Sequence, residues 1–203
     1  MRLGVSLVMA ASVFGALCFI FAALQIIGKY ERRRYVSGCW QIIMLSGINI
    51  FTGALLYAVT PLYYYQNMCS MACLLVVAII DEQTGYIYDC FGVGAVIICG
   101  VLALSQGFIT LNSREMLIIG LYIMVICLAA ALHGLGNGDV PVYLALLLYY
   151  LRYAVYPADA AICMLLASQI FFTVSALLHK KSKLPLVPYI YMAHLVTLCL
   201  WVF

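Results

Sequence analysis

Long apolar blocks separated by short polar connections dominate this sequence and limit what it can fold into. Eight blocks reach or approach the about 20 apolar residues that a helix needs to cross a bilayer. They are residues 4–28, 36–59, 62–80, 90–106, 116–134, 140–156, 160–178 and 186–203. No connection between them is long enough to form a domain. We therefore expect an all-α fold, a single polytopic transmembrane helical bundle of about eight spans that includes residues 1–203.

The composition excludes most soluble classes of protein. Of the 203 residues, 67% are hydrophobic and 8% are charged, whereas a soluble domain is about half apolar and about a quarter charged. The formal net charge of +3 is too small for a nucleic-acid-binding surface. The nine cysteines are scattered and form no C-x-x-C motif. We therefore expect no disulfide framework, no metal site and no cofactor.

The basic residues indicate which side of the membrane each connection faces. With eight spans, the connections after the first and seventh blocks lie on one side. These two connections carry most of the basic residues, namely Lys29, Arg32, Arg33, Arg34, Lys180, Lys181 and Lys183. Only Arg2 and Arg114 lie near the other side. The positive-inside rule then predicts that both termini are outside and that connections one, three, five and seven are cytoplasmic.

Four of the seven acidic residues fall in two of these cytoplasmic connections. Asp81, Glu82 and Asp89 lie in the third connection, and Asp139 ends the fifth. Asp81 and Asp139 each adjoin an apolar block, where a carboxylate is costly and often functional. Two carboxylates at one membrane face suit aspartic proteolysis. One carboxylate takes a proton from water while the other, protonated, donates to the scissile carbonyl.

The glycines around Asp139 fit this interpretation but leave others open. Gly136 and Gly138 would let the backbone turn tightly and approach a peptide strand closely. Alternatively, the segment is an ordinary glycine-rich turn in which Asp139 is the N-cap of a helix beginning at Val140. Asp81 and Asp139 would also suit proton or cation coupling in a small carrier. The internal repeat that is usual in carriers is not evident here.

A resemblance to a known family rests on these motifs. Residues 136–139, Gly-Asn-Gly-Asp, match the G-x-G-D signature of intramembrane aspartyl proteases. The layout of the chain resembles the type IV prepilin peptidases. Asp81 followed by Ile-Tyr-Asp at 87–89 lines up with the first Asp and the later Leu/Ile-Pro-Asp of that family. Residues 180–188, Lys-Lys-Ser-Lys-Leu-Pro-Leu-Val-Pro, look like its basic turn and Pro-x-x-Pro before the last span.

The resemblance implies an aspartyl endopeptidase in the cell membrane of a prokaryote, with Asp81 and Asp139 as the catalytic dyad. Its substrate would be a pilin-like precursor with a short basic leader. Cleavage would occur on the cytoplasmic side, just before an apolar helix and typically after Gly. Glu82 and Asp89 would contact the leader, although exposed ion pairs contribute only about 0–1 kcal/mol. An equally good interpretation is that these two residues are solvated acids of the connection.

The chain departs from the family at three places. Tyr88 stands where the family usually has Pro, and Pro141 stands where it usually has Lys. The first connection is too short for the cysteine-bearing domain of the large members, so the resemblance implies a peptidase without the methyltransferase part. The two substitutions leave open a non-catalytic member that acts only as a scaffold in a pilus or secretion assembly.

The chain also resembles the presenilins, which combine a Tyr-Asp pair with a G-x-G-D motif, in a second alignment. It would make Asp89, after Tyr88, the first catalytic residue. We favour Asp81, because Asp89 lies beyond Gly85 in a polar stretch rather than inside a span.

The histidines offer no stronger catalytic arrangement. His133 ends a span near Asp139, and an interfacial residue with local hydrogen bonds is the expectation there. His194 lies in the middle of the last block, where we expect a buried histidine whose ring is hydrogen-bonded. No Ser/His/Asp or Cys/His arrangement has supporting sequence context.

Overall fold

The computed structural model describes residues 2–31, 39–59, 61–87, 89–104, 111–132, 135–136, 138–154, 156–179 and 184–200. Within these ranges the chain forms eight α-helices and no strand. The helices are α1 (Arg2–Glu31), α2 (Cys39–Val59), α3 (Pro61–Thr84), α4 (Asp89–Leu104), α5 (Ser113–Ala131), α6 (Asp139–Tyr153), α7 (Pro157–His179) and α8 (Val187–Leu200). Each helix overlaps one predicted apolar block. The all-α prediction is therefore confirmed for the described part of the chain.

Three of the helices are long and apolar enough to cross a membrane. They contain the segments Tyr64–Thr84, Ser113–Ala131 and Pro157–Leu178, in α3, α5 and α7. Helix α5 buries only Tyr122 and Ile126. It exposes large apolar side chains along the rest of its surface, including Met116 and Leu117. An exposed apolar surface of this kind suits contact with lipid.

The ends of α3 and α5 follow from their local sequences. At the start of α5, the Asn112 side chain accepts from the Glu115 N–H at 2.8 Å, and the Asn112 N–H donates to Glu115 Oε2 at 3.1 Å. This is a reciprocal capping box. At the end of α3, Gly85 has φ +62°, a left-handed conformation that glycine adopts freely. Its N–H donates to the Asp81 carbonyl at 2.7 Å, which terminates the helix.

Helix α3 continues about one turn beyond the predicted end of the third block, Ile80. It ends at Thr84, whose hydroxyl donates to the Ile80 carbonyl at 2.7 Å. Asp81 and Glu82 are therefore helical, although the sequence placed them in a connection. The apolar block ends at Ile80, but the backbone hydrogen bonds continue until Gly85 stops them.

Helix α8 lies at the centre of the bundle and packs against α7, α3 and α2. Most of its side chains are buried, among them Ile190, Tyr191 and His194. Helix α3 packs against α1, α2 and α8, whereas α6 packs against α4, α5 and α7. Within the described residues, α3 and α6 therefore have little direct backbone contact. Their relative position depends on side chains and on α8.

The bundle has two distinct ends. At one end, Arg114 near the start of α5 pairs with Asp159 near the start of α7, with Nη2 and Oδ1 3.2 Å apart. At the other end, α3 terminates and α6 begins. Helix α6 starts where α5 has finished, so Asp139 lies at the opposite end of the bundle from this ion pair. Asp81 and Asp139 thus occupy one end of the molecule.

Candidate active site

Asp81 lies near the end of α3 and points into the protein. Its exposed fraction is 4%. Oδ2 accepts a hydrogen bond from the Val187 N–H at 2.9 Å, and the Leu186 backbone provides a further bond. These amides belong to the start of α8, where the helix dipole favours a negative charge. The carboxylate of Asp81 is therefore held by α8 as well as by its own helix.

Asp139 is the first residue of α6. Its Oδ2 accepts from the Gly136 N–H at 3.1 Å, and its own N–H donates to the Gly136 carbonyl at 3.0 Å. The alternative in which Asp139 caps a helix beginning at Val140 is not what the structure contains. Gly138 occupies the N-cap position, and this helix start has no side-chain capping bond. Instead, the carboxylate is turned back toward the preceding loop.

The two carboxylates lie close enough to affect each other's charge. Burial and, to a lesser extent, the negative charge of Asp81 together raise the pKa of Asp139 to about 6, although the hydrogen bond from Gly136 offsets part of this rise. Two neighbouring carboxylates cannot both ionise cheaply, so they tend to share one proton. Their titration then belongs to the pair rather than to either residue. The structure thus places the two aspartates that the sequence selected at one end of the bundle, within electrostatic range of each other.

The two glycines of the G-x-G-D motif, Gly136 and Gly138, lie where a larger side chain would collide with neighbouring atoms. A Cβ on Gly138 would lie 3.0 Å from the Ile87 Cβ, and a Cβ on Gly136 would lie 3.0 Å from Asp139 Oδ2. Neither glycine has a left-handed backbone, since among the described glycines only Gly85 has a positive φ. Gly138 thereby brings the loop before α6 against the connection that follows α3.

Pro141, one of the departures from the family pattern, fits its place in α6. It is the third residue of the helix, where a backbone N–H has no partner within the helix, so proline loses no hydrogen bond there. A Cβ on Gly92 of α4 would lie 2.8 Å from the Pro141 Cβ. Close packing on Gly92 therefore supports the first turn of α6, which carries Asp139.

Glu82 and Asp89 are the candidate contacts for a basic leader. Glu82 is partly exposed on α3. Asp89 begins α4, but its side chain lies outside the described residues, as does the whole of Tyr88. The preference for Asp81 over Asp89 as the first catalytic residue therefore rests on the burial of Asp81 and on its hydrogen bond from Val187.

Sequence reasoning missed the role of α8 and the contact between Gly92 and Pro141. Pro185 and Pro188 did indicate where the last helix begins. However, no sequence pattern links Val187 to an aspartate more than one hundred residues earlier in the chain. Gly92 was one of several glycines in an apolar block, and only the packed structure distinguishes it.

Two neighbouring carboxyl groups of unequal protonation have the chemistry to act as an acid and a base toward a water molecule. Among the described residues, no group of three or more His, Cys, Asp or Glu side chains could hold a metal ion. No family model, no curated protein and no solved structure matches this chain. Its function must therefore be inferred from its own residues and their chemistry.

Proposed function

We propose that this protein is a membrane aspartyl endopeptidase that removes the basic leader from prepilin-like precursors. The observation that carries the proposal is the close approach of Gly138, next to Asp139, to Ile87, six residues after Asp81. It agrees with the effect of the Asp81 charge on the Asp139 pKa. Both carboxylates also accept backbone hydrogen bonds that fix their orientation. A shared proton between two positioned carboxylates is what acid–base hydrolysis of a peptide requires.

In the proposed reaction, the ionised carboxylate of the pair takes a proton from water, and the water oxygen attacks the scissile carbonyl carbon. The protonated partner donates its proton to the carbonyl oxygen. The resulting tetrahedral intermediate collapses as the C–N bond breaks, and the leaving amine receives a proton from the dyad. Water supplies both the hydroxyl of the new carboxyl group and the proton of the new amine. No cofactor or metal ion is needed.

The proposed topology has about eight spans, both termini outside and the dyad at the cytoplasmic face of a prokaryotic cell membrane. The whole chain, residues 1–203, would act as one membrane domain. Two observations support this orientation. The basic residues favour a cytoplasmic location for the connections at the dyad end. The ion pair of Arg114 with Asp159 lies at the opposite end of the bundle.

The proposed partner is a precursor whose basic leader is followed by an apolar helix. The leader would approach Glu82 and Asp89 at the membrane surface, where opposite charges steer association more than they increase affinity. The apolar helix would pack against the spans, where small residues allow close approach.

The test is cleavage of pilin-like precursors in membranes that contain the wild type, Asp81→Asn, Asp139→Asn or Asp89→Asn at equal expression. We expect Asp81→Asn and Asp139→Asn each to lower cleavage by at least two orders of magnitude, the upper range for loss of a general acid or base. Asp89→Asn should retain most of the cleavage. Asp159→Asn is the matched control, because it removes an acidic residue at the other end of the bundle.

Other outcomes would identify a different function. Loss of cleavage in Asp89→Asn but not in Asp81→Asn would move the first catalytic residue to Asp89. No cleavage of any precursor by the wild type would overturn the peptidase and leave the carrier or the non-catalytic scaffold. A carrier would leave precursor processing unchanged in cells that lack this protein.

A further inference from the structure

A second polar cluster lies in the interior of the bundle, away from the two aspartates. We call it the His194 cluster, and its members are Asn67 and Ser70 of α3, Tyr149 and Tyr150 of α6, and His194 of α8. Asn67 and His194 have no exposed surface, and the two tyrosines are also buried. Buried polar groups need hydrogen-bond partners, and ionisable groups inside membrane bundles often mark a function.

The hydrogen bonds of the cluster define the protonation of the His194 ring. The Ser70 hydroxyl donates its one proton to the Asn67 carbonyl at 2.8 Å. Ser70 Oγ must therefore accept from His194 Nε2, which lies 3.3 Å away. Nε2 then carries the proton, and Nδ1 accepts from the Tyr150 hydroxyl at 2.7 Å. The neutral ring bonds to α3 through one nitrogen and to α6 through the other.

A third bond joins α6 directly to α3, because the Tyr149 hydroxyl donates to Asn67 Oδ1. The Tyr149 ring also meets the His194 ring edge-on, with centroids 5.5 Å apart. Helices α3 and α6 do not pack closely on each other, so these long side chains bridge the gap. They set the distance and register between the two helices at this level of the bundle.

The same three helices carry the residues of the proposed dyad, at the end of the bundle where α3 terminates and α6 begins. Asp81 lies on α3, Asp139 lies on α6, and the Val187 N–H that orients Asp81 lies on α8. Tyr150 follows Asp139 by eleven residues, which at 1.5 Å per residue is about 16 Å along α6. The His194 cluster therefore lies too far away to touch the scissile bond. It can act on the dyad only through the positions of the helices.

We infer that His194 is a positioning residue for the proposed dyad: by bonding Ser70 and Tyr150, it holds α3, α6 and α8 in the register at which the carboxyl groups of Asp81 and Asp139 interact. This inference rests on the proposed function. Because each helix is stiff, a shift of one helix at the His194 cluster also displaces the aspartate that this helix carries at the end of the bundle. Misplacement of reacting groups by about 1 Å can lower a rate on the order of 100-fold.

The test measures the dyad geometry without requiring cleavage. The Asp139 pKa is followed by infrared spectroscopy of the protonated carboxyl band, which is assigned by its loss in Asp139→Asn. Asp81→Asn shows how far this pKa falls when the neighbouring charge is absent. We expect His194→Phe and Tyr150→Phe to shift the Asp139 pKa toward the value found in Asp81→Asn.

Two matched controls separate positioning from a general loss of buried polar groups. Tyr191→Phe removes a buried hydroxyl of α8 that has no hydrogen-bond partner among the described residues. Thr197→Val removes a buried hydroxyl that bonds only within α8, to the Ala193 carbonyl at 2.8 Å. Both controls should keep the wild-type pKa of Asp139. His194→Asn provides an acceptor in place of Nδ1 for Tyr150. It should therefore return the Asp139 pKa part of the way from the His194→Phe value to the wild-type value.

An unchanged Asp139 pKa in both His194→Phe and Tyr150→Phe would overturn the inference, and so would an equal shift in the two controls. If His194→Phe does not fold, Tyr150→Phe decides, because it removes a single oxygen atom. In the cleavage assay, the cluster variants should lower kcat at unchanged KM. If the wild type cleaves nothing, the proposed function fails, but the infrared measurement still tests whether His194 positions the aspartates.

Discussion

Asp139 is held where its charged form is disfavoured, by burial and by the charge of Asp81, and its pKa is raised to about 6 from an ordinary value of 3.8. The backbone bond from Gly136 offsets only part of this effect. Such a carboxyl group keeps its proton at a pH where an exposed aspartate has lost it. At the scale of single residues, this is the property that makes Asp139 suitable as a proton donor.

The raised pKa predicts a pH-dependent gain of stability in Asp139→Asn. Below about pH 3 the carboxyl is protonated in both the folded and the unfolded protein, so ionisation costs no stability there. As the pH rises from about 4 to about 6, the carboxyl ionises in the unfolded protein but keeps its proton in the folded protein, and the wild type loses roughly 2–3 kcal/mol. Asparagine does not ionise. Thermal unfolding in detergent should therefore show a higher Tm for Asp139→Asn above about pH 6 and little difference near about pH 3.

Asp159→Asn is the control for this measurement, because it alters an exposed ion pair that contributes little. The same difference between Asp139→Asn and the wild type at both pH values would contradict the explanation by titration. The change would then reflect packing of the new side chain.

Gly136→Ala should impair cleavage more than stability. Its Cβ would lie 3.0 Å from Asp139 Oδ2, so the carboxylate must move away from the bond that orients it. Gly136 is exposed, so little core packing is lost. We expect cleavage to fall on the order of tenfold or more, with a small change in Tm, as for a misplaced catalytic group. Gly120→Ala, with open space around its new Cβ, should cleave normally.

At the scale of the elements, the start of α6 depends on close packing against α4. Gly92 faces Pro141, whereas Gly94, two residues further along the same helix, has open space at its Cβ position. The two glycines therefore form a matched pair within one helix. Their comparison separates the effect of packing from the effect of helix propensity.

We expect Gly92→Ala to lower both stability and cleavage, because its Cβ would approach the Pro141 Cβ to 2.8 Å and displace the first turn of α6. Overpacking of this kind costs about 1–3 kcal/mol. Gly94→Ala should be neutral or stabilising by up to about 1 kcal/mol, since alanine is the better helix former. Tm values and cleavage rates in the same membranes check both expectations. Equal effects of the two substitutions would exclude a special role for the contact between Gly92 and Pro141.

At the scale of the whole molecule, the orientation in the membrane can be measured with single cysteines in a background without the native ones. Tyr86 lies at the dyad end and is 56% exposed, and Ser113 lies exposed at the start of α5, at the other end. The proposed orientation predicts that a membrane-impermeant thiol reagent labels Ser113→Cys in intact cells. Tyr86→Cys should be labelled only after permeabilisation. The reverse pattern would place the dyad outside and contradict a cytoplasmic site.

The apolar blocks and the acidic residues at their ends were readable from the sequence, because both properties are local. About 20 apolar residues in a row favour a helix wherever they lie in the chain, and all eight blocks overlap helices in the described residues. The sequence placed the end of α3 too early, because the apolar block ends at Ile80, whereas the backbone hydrogen bonds of the helix continue until Gly85. The expectation that His194 is a buried, hydrogen-bonded residue is confirmed.

The sequence by itself determined that the chain forms apolar helices and that Asp81 and Asp139 stand at helix ends. Only the tertiary structure decided that these two carboxylates lie within electrostatic range of each other, that the Val187 N–H orients Asp81, and that Gly92 makes room for Pro141. These contacts join residues that are distant along the chain. They depend on the angles and separations at which whole helices pack, which is a property of the complete bundle and not of any segment alone.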